Sequence, residues 1–112
     1  MFFISKEKKI ESWAKKKNSE ALAKLVTDSN VDIRVKVVNA LSEIGDYRAV
    51  TALITALKDS DAKVRMAALD AFIKVKDQRG KEHIRYIIEH DPVAEVKEKA
   101  VKALSVLAGK GL

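Results

Sequence analysis

Asp59-Ser60-Asp61-Ala62-Lys63-Val64-Arg65, running on into Met66-Ala67-Ala68-Leu69-Asp70-Ala71-Phe72, is the stretch on which the fold turns. It recurs upstream as Asp28-Ser29-Asn30-Val31-Asp32-Ile33-Arg34 and downstream as Asp91-Pro92-Val93-Ala94-Glu95-Val96-Lys97. In each copy an aspartate precedes a β-branched residue by five positions and a cation by six. Counted from the β-branched residue, position +4 holds Val37, Ala68 and Ala100, and +5 holds Val38, Leu69 and Val101. Position +7 is always alanine, as Ala40, Ala71 and Ala103. Position +8 holds Leu41, Phe72 and Leu104, and +11 holds Ile44, Val75 and Leu107. These offsets fall on one face of a helix, so each copy contains an amphipathic second helix.

A first helix precedes each of these. Gly45-Asp46-Tyr47-Arg48 aligns with Lys76-Asp77-Gln78-Arg79, and Asp46 and Asp77 have the chemistry of N-caps. Val50, Leu53, Ile54 and Leu57 form the stripe of one first helix. Ile84, Ile87 and Ile88 form the next, and Leu22, Leu25 and Val26 the one before. Asp91-Pro92 reads as a helix start, the acid at N-cap and the proline at N1. The expected helices are 5–17, then 19–27 with 30–44, 47–58 with 61–75, and 78–89 with 92–108. One period back from the first second helix, Phe2, Ile10 and Trp13 take core positions. The leading helix is therefore expected to be a half-repeat that caps the stack.

Neither helix pair can bury its stripe alone, so neighbouring pairs must cover one another. The expectation is an all-α solenoid of antiparallel helix pairs in one domain, residues 1–112. Its parts are a capping helix at 1–17, repeats at 18–45 and 46–76, and a third repeat with the C-terminal tail at 77–112.

These residues resemble HEAT-type repeats, in particular the short class known from phycobilisome lyases. Ile44-Gly45-Asp46-Tyr47-Arg48-Ala49-Val50 with Leu53-Ile54 and Ala56-Leu57 is close to the family pattern. So is Asp59-x-Asp61-x-x-Val64-Arg65 with Ala67-Ala68, Ala71 and Phe72. Departures are Thr51 where the class often has proline, Lys76 where glycine is expected, and Lys97 in place of arginine. The resemblance implies a right-handed superhelix with the second helices on its concave side. It implies that Asp28, Asp59 and Asp91 cap the second helices and meet a cation of an adjacent unit. Arg34, Arg65 and Lys97 would then run up the solenoid as a structural ladder, loosest at the lysine, which lacks the planar fork of arginine.

The chemistry of the sequence argues against an enzyme. The 112 residues contain no cysteine, which excludes disulfides and thiolate metal sites. His83 and His90 lie about two helical turns apart, roughly 10 Å of rise, too far for one metal on a straight helix. Glu82-His83 and Glu89-His90 reverse the order of the His-Glu pairs in HEAT-type di-iron hydroxylases. HEAT-type DNA glycosylases are larger arrays with a tryptophan- and aspartate-lined cleft, whereas the lone Trp13 sits in the leading helix. No glycine-rich phosphate loop or serine nucleophile motif is present. No catalytic residue, metal or cofactor is expected.

A binding surface is expected on the second helices, opposite their core stripe. Val35, Asn39 and Ser42, then Met66, Asp70 and Ile73, then Glu98, Lys102 and Ser105 fall there. Val35, Met66 and Ile73 make an apolar spot framed by Lys36, Lys74, Lys99 and Lys102, suited to an amphipathic helix or a peptide with acidic flanks. The expected role is a non-catalytic scaffold or adaptor that holds a partner protein on this concave face. Nucleic-acid backbone binding is the alternative, and self-association as a regulatory module is a third reading. A monomer or weak homo-oligomer follows.

The net charge of +6 bears on that choice. Residues 1–27 carry seven lysines against three glutamates, whereas 28–58 balance at four against four. Most of the basicity belongs to the leading helix, where lysines crowd beside Phe2, Phe3 and Trp13. A polyanion or a membrane surface could engage that patch. No apolar stretch approaches the ~20 residues of a membrane span, and no signal peptide is visible, so a cytoplasmic location is expected.

Overall fold

A computed structural model describes residues 4–109. Seven α-helices follow one another: α1 (Lys6–Lys15), α2 (Ser19–Ala23), α3 (Val31–Ile44), α4 (Tyr47–Leu57), α5 (Ala62–Val75), α6 (Lys81–His90) and α7 (Ala94–Leu107). Among the described residues there is no strand. The pairs α2/α3, α4/α5 and α6/α7 stack into a rod-like all-α solenoid measuring 50 × 26 × 19 Å. Helix α1 packs on α3 much as α3 packs on α5.

Local chemistry sets most boundaries. Ser5, Asn18, Asn30, Asp46 and Asp61 each accept a hydrogen bond from an orphan N–H at a helix start. Helix α3 ends where Gly45 turns left-handed at φ 62°. Lys76 ends α5 with the same backbone, at φ 55° and without glycine's freedom.

Three expected boundaries differ. The helix expected over 19–27 is only Ser19–Ala23. Beyond it the backbone tightens into turns, with Leu25 N–H on Leu22 O at 2.9 Å and Asp28 N–H on Leu25 O at 3.1 Å. Asp77 does cap, but what it caps is a short 3₁₀ turn, Gln78–Gly80, and α6 starts only at Lys81. Asp91-Pro92 does not begin α7, which starts at Ala94 with Val93 at the N-cap position. Asp91 instead closes α6 with extended backbone, as a residue before proline favours. Its carboxylate is already committed to Arg65 and the Val93 N–H, so none of it is left to cap α7.

The repeated offsets form one continuous core. Ile33, Val37, Val38 and Leu41 of α3, Val64, Ala68, Leu69 and Phe72 of α5, and Val96, Ala100 and Leu107 of α7 are all buried. Ile10 of α1 is buried and Trp13 packs against the same core; Phe2 lies outside the described residues. The alanines at +7, Ala40, Ala71 and Ala103, are buried too, and their small side chains let second helices approach closely. Helices α3, α5 and α7 pack extensively on one another, whereas α4 and α6 barely meet. First helices therefore fan apart while second helices converge, which puts α3, α5 and α7 on the inner side of the stack.

Candidate functional site

The turns between paired helices carry a repeated ion-pair device. One oxygen of Asp28, Asp59 and Asp91 accepts the N–H two residues on, from Asn30 at 3.0 Å, Asp61 at 2.8 Å and Val93 at 2.9 Å. This local turn holds each carboxylate towards the preceding unit. Arg34 grips Asp59 with Nε and Nη2 at 2.8 and 3.0 Å, and Arg65 grips Asp91 the same way at 2.7 and 3.1 Å. Each arginine also donates through Nη1 to its own turn, Arg34 to Asp28 O and Arg65 to Asp59 O. One guanidinium thus ties two successive turns together.

The expected ladder exists for Arg34–Asp59 and Arg65–Asp91. Its expected capping role does not hold, because Asn30 and Asp61 cap α3 and α5 and no side chain caps α7. Lys97 makes no ion pair or side-chain hydrogen bond among the described residues. An unforeseen first rung is Lys6, whose Nζ lies 2.6 Å from Asp28. One period back from Arg34 is Phe3, and Lys6 is the next cation about one helical turn along; a search by turn rather than by fixed period finds it. Lys6 and the Asn30 N–H hold the Asp28 carboxyl below the usual range. The Asp59 carboxylate holds the Arg34 guanidinium above its usual value.

The inner face carries the other expected residues. Val35, Met66 and Ile73 are half-buried against the core, while Asn39, Asp70, Lys74 and Lys102 are exposed and Lys99 is half-buried. The framing lysines are largely engaged. Lys36 approaches Glu7 at 3.9 Å, Lys74 pairs with Glu43, and Lys99 pairs with Asp70 at 2.7 Å. Each of these pairs links adjacent units. Met66 opens onto a shallow recess of about 300 Å³ shared with Glu95, Glu98, Lys99 and Lys102. The face is therefore apolar in its middle with charges of both signs around it.

A recess that sequence reasoning missed lies on the outer side, where α4 and α6 splay. It measures about 590 Å³, and its lining includes Leu57, Lys58, Arg65, Glu82, His83, Tyr86, Ile87, His90, Asp91 and Pro92. The Tyr86 ring stacks on His90 with centroids 4.2 Å apart. The spacing of His83, Tyr86, Ile87 and His90 along one helix face was the available signal. Among the described residues no group of three or more His, Asp or Glu side chains is placed to hold a metal. In the leading helix, Lys8, Lys9, Lys15, Lys16 and Lys17 are exposed, but Trp13 turns into the core and Phe3 lies outside the described residues.

A model of HEAT repeats matches residues 19–105, most of the chain, and the protein belongs to the HEAT-repeat family. No curated protein matches its sequence. HEAT repeats commonly mediate protein–protein interaction and are typically non-enzymatic. No helix among the described residues is long and apolar enough to cross a membrane.

Proposed function

We propose that this protein is a non-catalytic scaffold that holds a partner protein on the inner face of α3, α5 and α7. The observation that carries this reading is the half-buried strip Val35, Met66 and Ile73, set on helices whose mutual packing and interunit ion pairs keep it rigid. A rigid apolar strip with a polar surround suits an amphipathic helix or extended segment, because little ordering entropy is lost on binding. The mixed charges at its edge suit a partner with both signs better than a purely acidic one. A cytoplasmic location is compatible with this role.

Engagement of Lys36, Lys74 and Lys99 by carboxylates weighs against the alternative of a phosphate-reading stripe along the inner face. The test compares capture of partners by the wild-type chain and by a Val35→Ser/Met66→Ala/Ile73→Ala variant at two salt concentrations. A protein held by the strip is lost with the variant and persists from ~50 to ~200 mM salt. Phosphate-backbone binding falls steeply over that range.

A further inference from the structure

We infer that the recess between α4 and α6 is a binding site for a small planar aromatic carboxylate. It lies on the outer side of the stack, between the second and third units, and does not depend on the inner face. Its volume of about 590 Å³ is that of a small-ligand pocket, ~300–1,000 Å³. The side chains that shape it break the repeat. Shifted by 31 residues, Ala52 and Thr55 of α4 become His83 and Tyr86 of α6. The third unit is also one residue longer at this point. Glu89 and His90 stand between Ile88 and Asp91, where Lys58 alone stands between Leu57 and Asp59. Tyr86 remains 64% exposed, so packing of the units does not account for a large ring there.

The extra length places His90 one helical turn beyond Tyr86, and the two rings stack with centroids 4.2 Å apart and planes 25° apart. His90 Nδ1 lies 3.2 Å from the Tyr86 carbonyl oxygen, which orients the imidazole. The recess therefore has a flat aromatic platform in its wall that is formed without a ligand. Leu57 and Ile87, both buried, give it an apolar floor. A flat ring fits this lining better than an aliphatic chain does, because it gains stacking as well as burial.

Charge selects the polar group of the ligand. Both carboxylates in the lining are matched, Glu82 by Arg85 and Asp91 by Arg65. Lys58, at the end of α4, makes no ion pair or side-chain hydrogen bond among the described residues, and neither does His83. Arg65 of α5 commits three of its five N–H groups, to Asp91 and to the Asp59 carbonyl. The recess thus holds uncommitted donors and an excess of positive charge. The carbonyl ends of α4 and α6 border it and attract cations, but Lys58 and His90 already stand at those ends. A carboxylate is the complement of such a lining. Histidine gains charge between about pH 8 and pH 6, whereas lysine, arginine and carboxylates ordinarily keep theirs. Protonation of His83 and His90 adds to the positive excess, so an anion is held more tightly as pH falls through that range.

The test titrates naphthoate, its uncharged amide and cyclohexanecarboxylate into the isotopically labelled full chain and follows the amide signals by NMR. Naphthoate is expected to shift the amides of Lys58, His83, Tyr86 and Ile87 and to bind about fivefold tighter than either other probe. Its affinity should rise about threefold between about pH 8 and pH 6, while that of the amide stays level. Tyr86→Ala should weaken naphthoate about fivefold and Lys58→Gln about threefold. His83→Gln/His90→Gln should flatten the pH dependence. These side chains are exposed or half-buried, so thermal midpoints are expected to stay near wild type and confirm folding. No shift at millimolar naphthoate, equal binding of the three probes, tighter binding at the higher pH, or indifference to Tyr86→Ala would overturn the proposal. So would shifts centred on Val35, Met66 and Ile73, which would put the aromatic acid on the inner strip instead.

Discussion

Gly80 and Phe72 are fitted to one another: a Cβ added at Gly80 would stand 2.5 Å from Phe72 Cε1. One period earlier the same two positions hold Leu41 and Ala49, both fully buried. A larger residue has been matched by a smaller one at a junction of fixed size, as close packing requires. Gly80→Ala is therefore expected to cost about 1–3 kcal/mol through overpacking. Phe72→Leu alone leaves a void and costs on the order of 1 kcal/mol. The double variant restores the Leu–Ala pair and should cost clearly less than the sum, as urea unfolding of all four chains would reveal.

The ladder gives a contrast within one repeated position. Arg65→Ala strands the buried Asp91 carboxylate and should destabilise by about 3–5 kcal/mol. Arg65→Lys should rescue little of this, since the lysine loses the two-pronged grip. Lys97→Ala, at the same offset but without a partner, should stay within about 0.5 kcal/mol of wild type. Chemical denaturation midpoints check all three.

Asp28 supplies a pH dependence. Its carboxyl is held low in the folded chain, first by Lys6 and then by the Asn30 N–H. Between the folded value and the ordinary unfolded value of ~3.9, the unfolded state binds more protons, so stability rises with pH there. The contribution is present in full above that window and is lost as pH falls through the folded value. The stability gap between wild type and Asp28→Asn should be constant near neutrality and close under acid conditions. A gap that persists undiminished at the acid end contradicts the assignment.

Lys76 occupies the left-handed conformation that Gly45 occupies one period earlier. Its side chain is exposed, so little packing is at stake. Lys76→Gly should stabilise the chain by about 1 kcal/mol by relieving the Cβ conflict. Lys76→Ala keeps the Cβ and should give no such gain in thermal unfolding.

The sequence made the stacking legible because core positions repeat with a fixed period, and Val64, Ala71 and Phe72 already imply their counterparts. The ladder was half legible. Arg34 and Arg65 announce themselves by spacing, but Lys6 sits off the period, three residues beyond the position that Phe3 takes in the sequence. The capping role assigned to Asp28, Asp59 and Asp91 failed for a local reason: a carboxylate occupied by an N–H two residues on and by a cation of the preceding unit, Lys6, Arg34 or Arg65, has no geometry left for the helix. The outer recess at His83, Tyr86 and His90 was hidden because it depends on how far α4 and α6 splay, which pairwise spacing does not encode. On the inner face, residue types were readable, but the partners of Lys74 and Lys99 lie about one period away and needed the packed stack.

The central claim is that a partner protein rests on the inner strip of α3, α5 and α7. The most direct measurement is quantitative recovery of captured partners by the wild-type chain, by Val35→Ser/Met66→Ala/Ile73→Ala, and by Asn39→Arg. The last variant projects a bulky charge from an exposed site without touching the core. Each variant is first matched to wild type by thermal unfolding. The account predicts that a protein recovered with wild type at ~200 mM salt is lost with both variants. Recovery of the same protein in equal amount with either folded variant would contradict it.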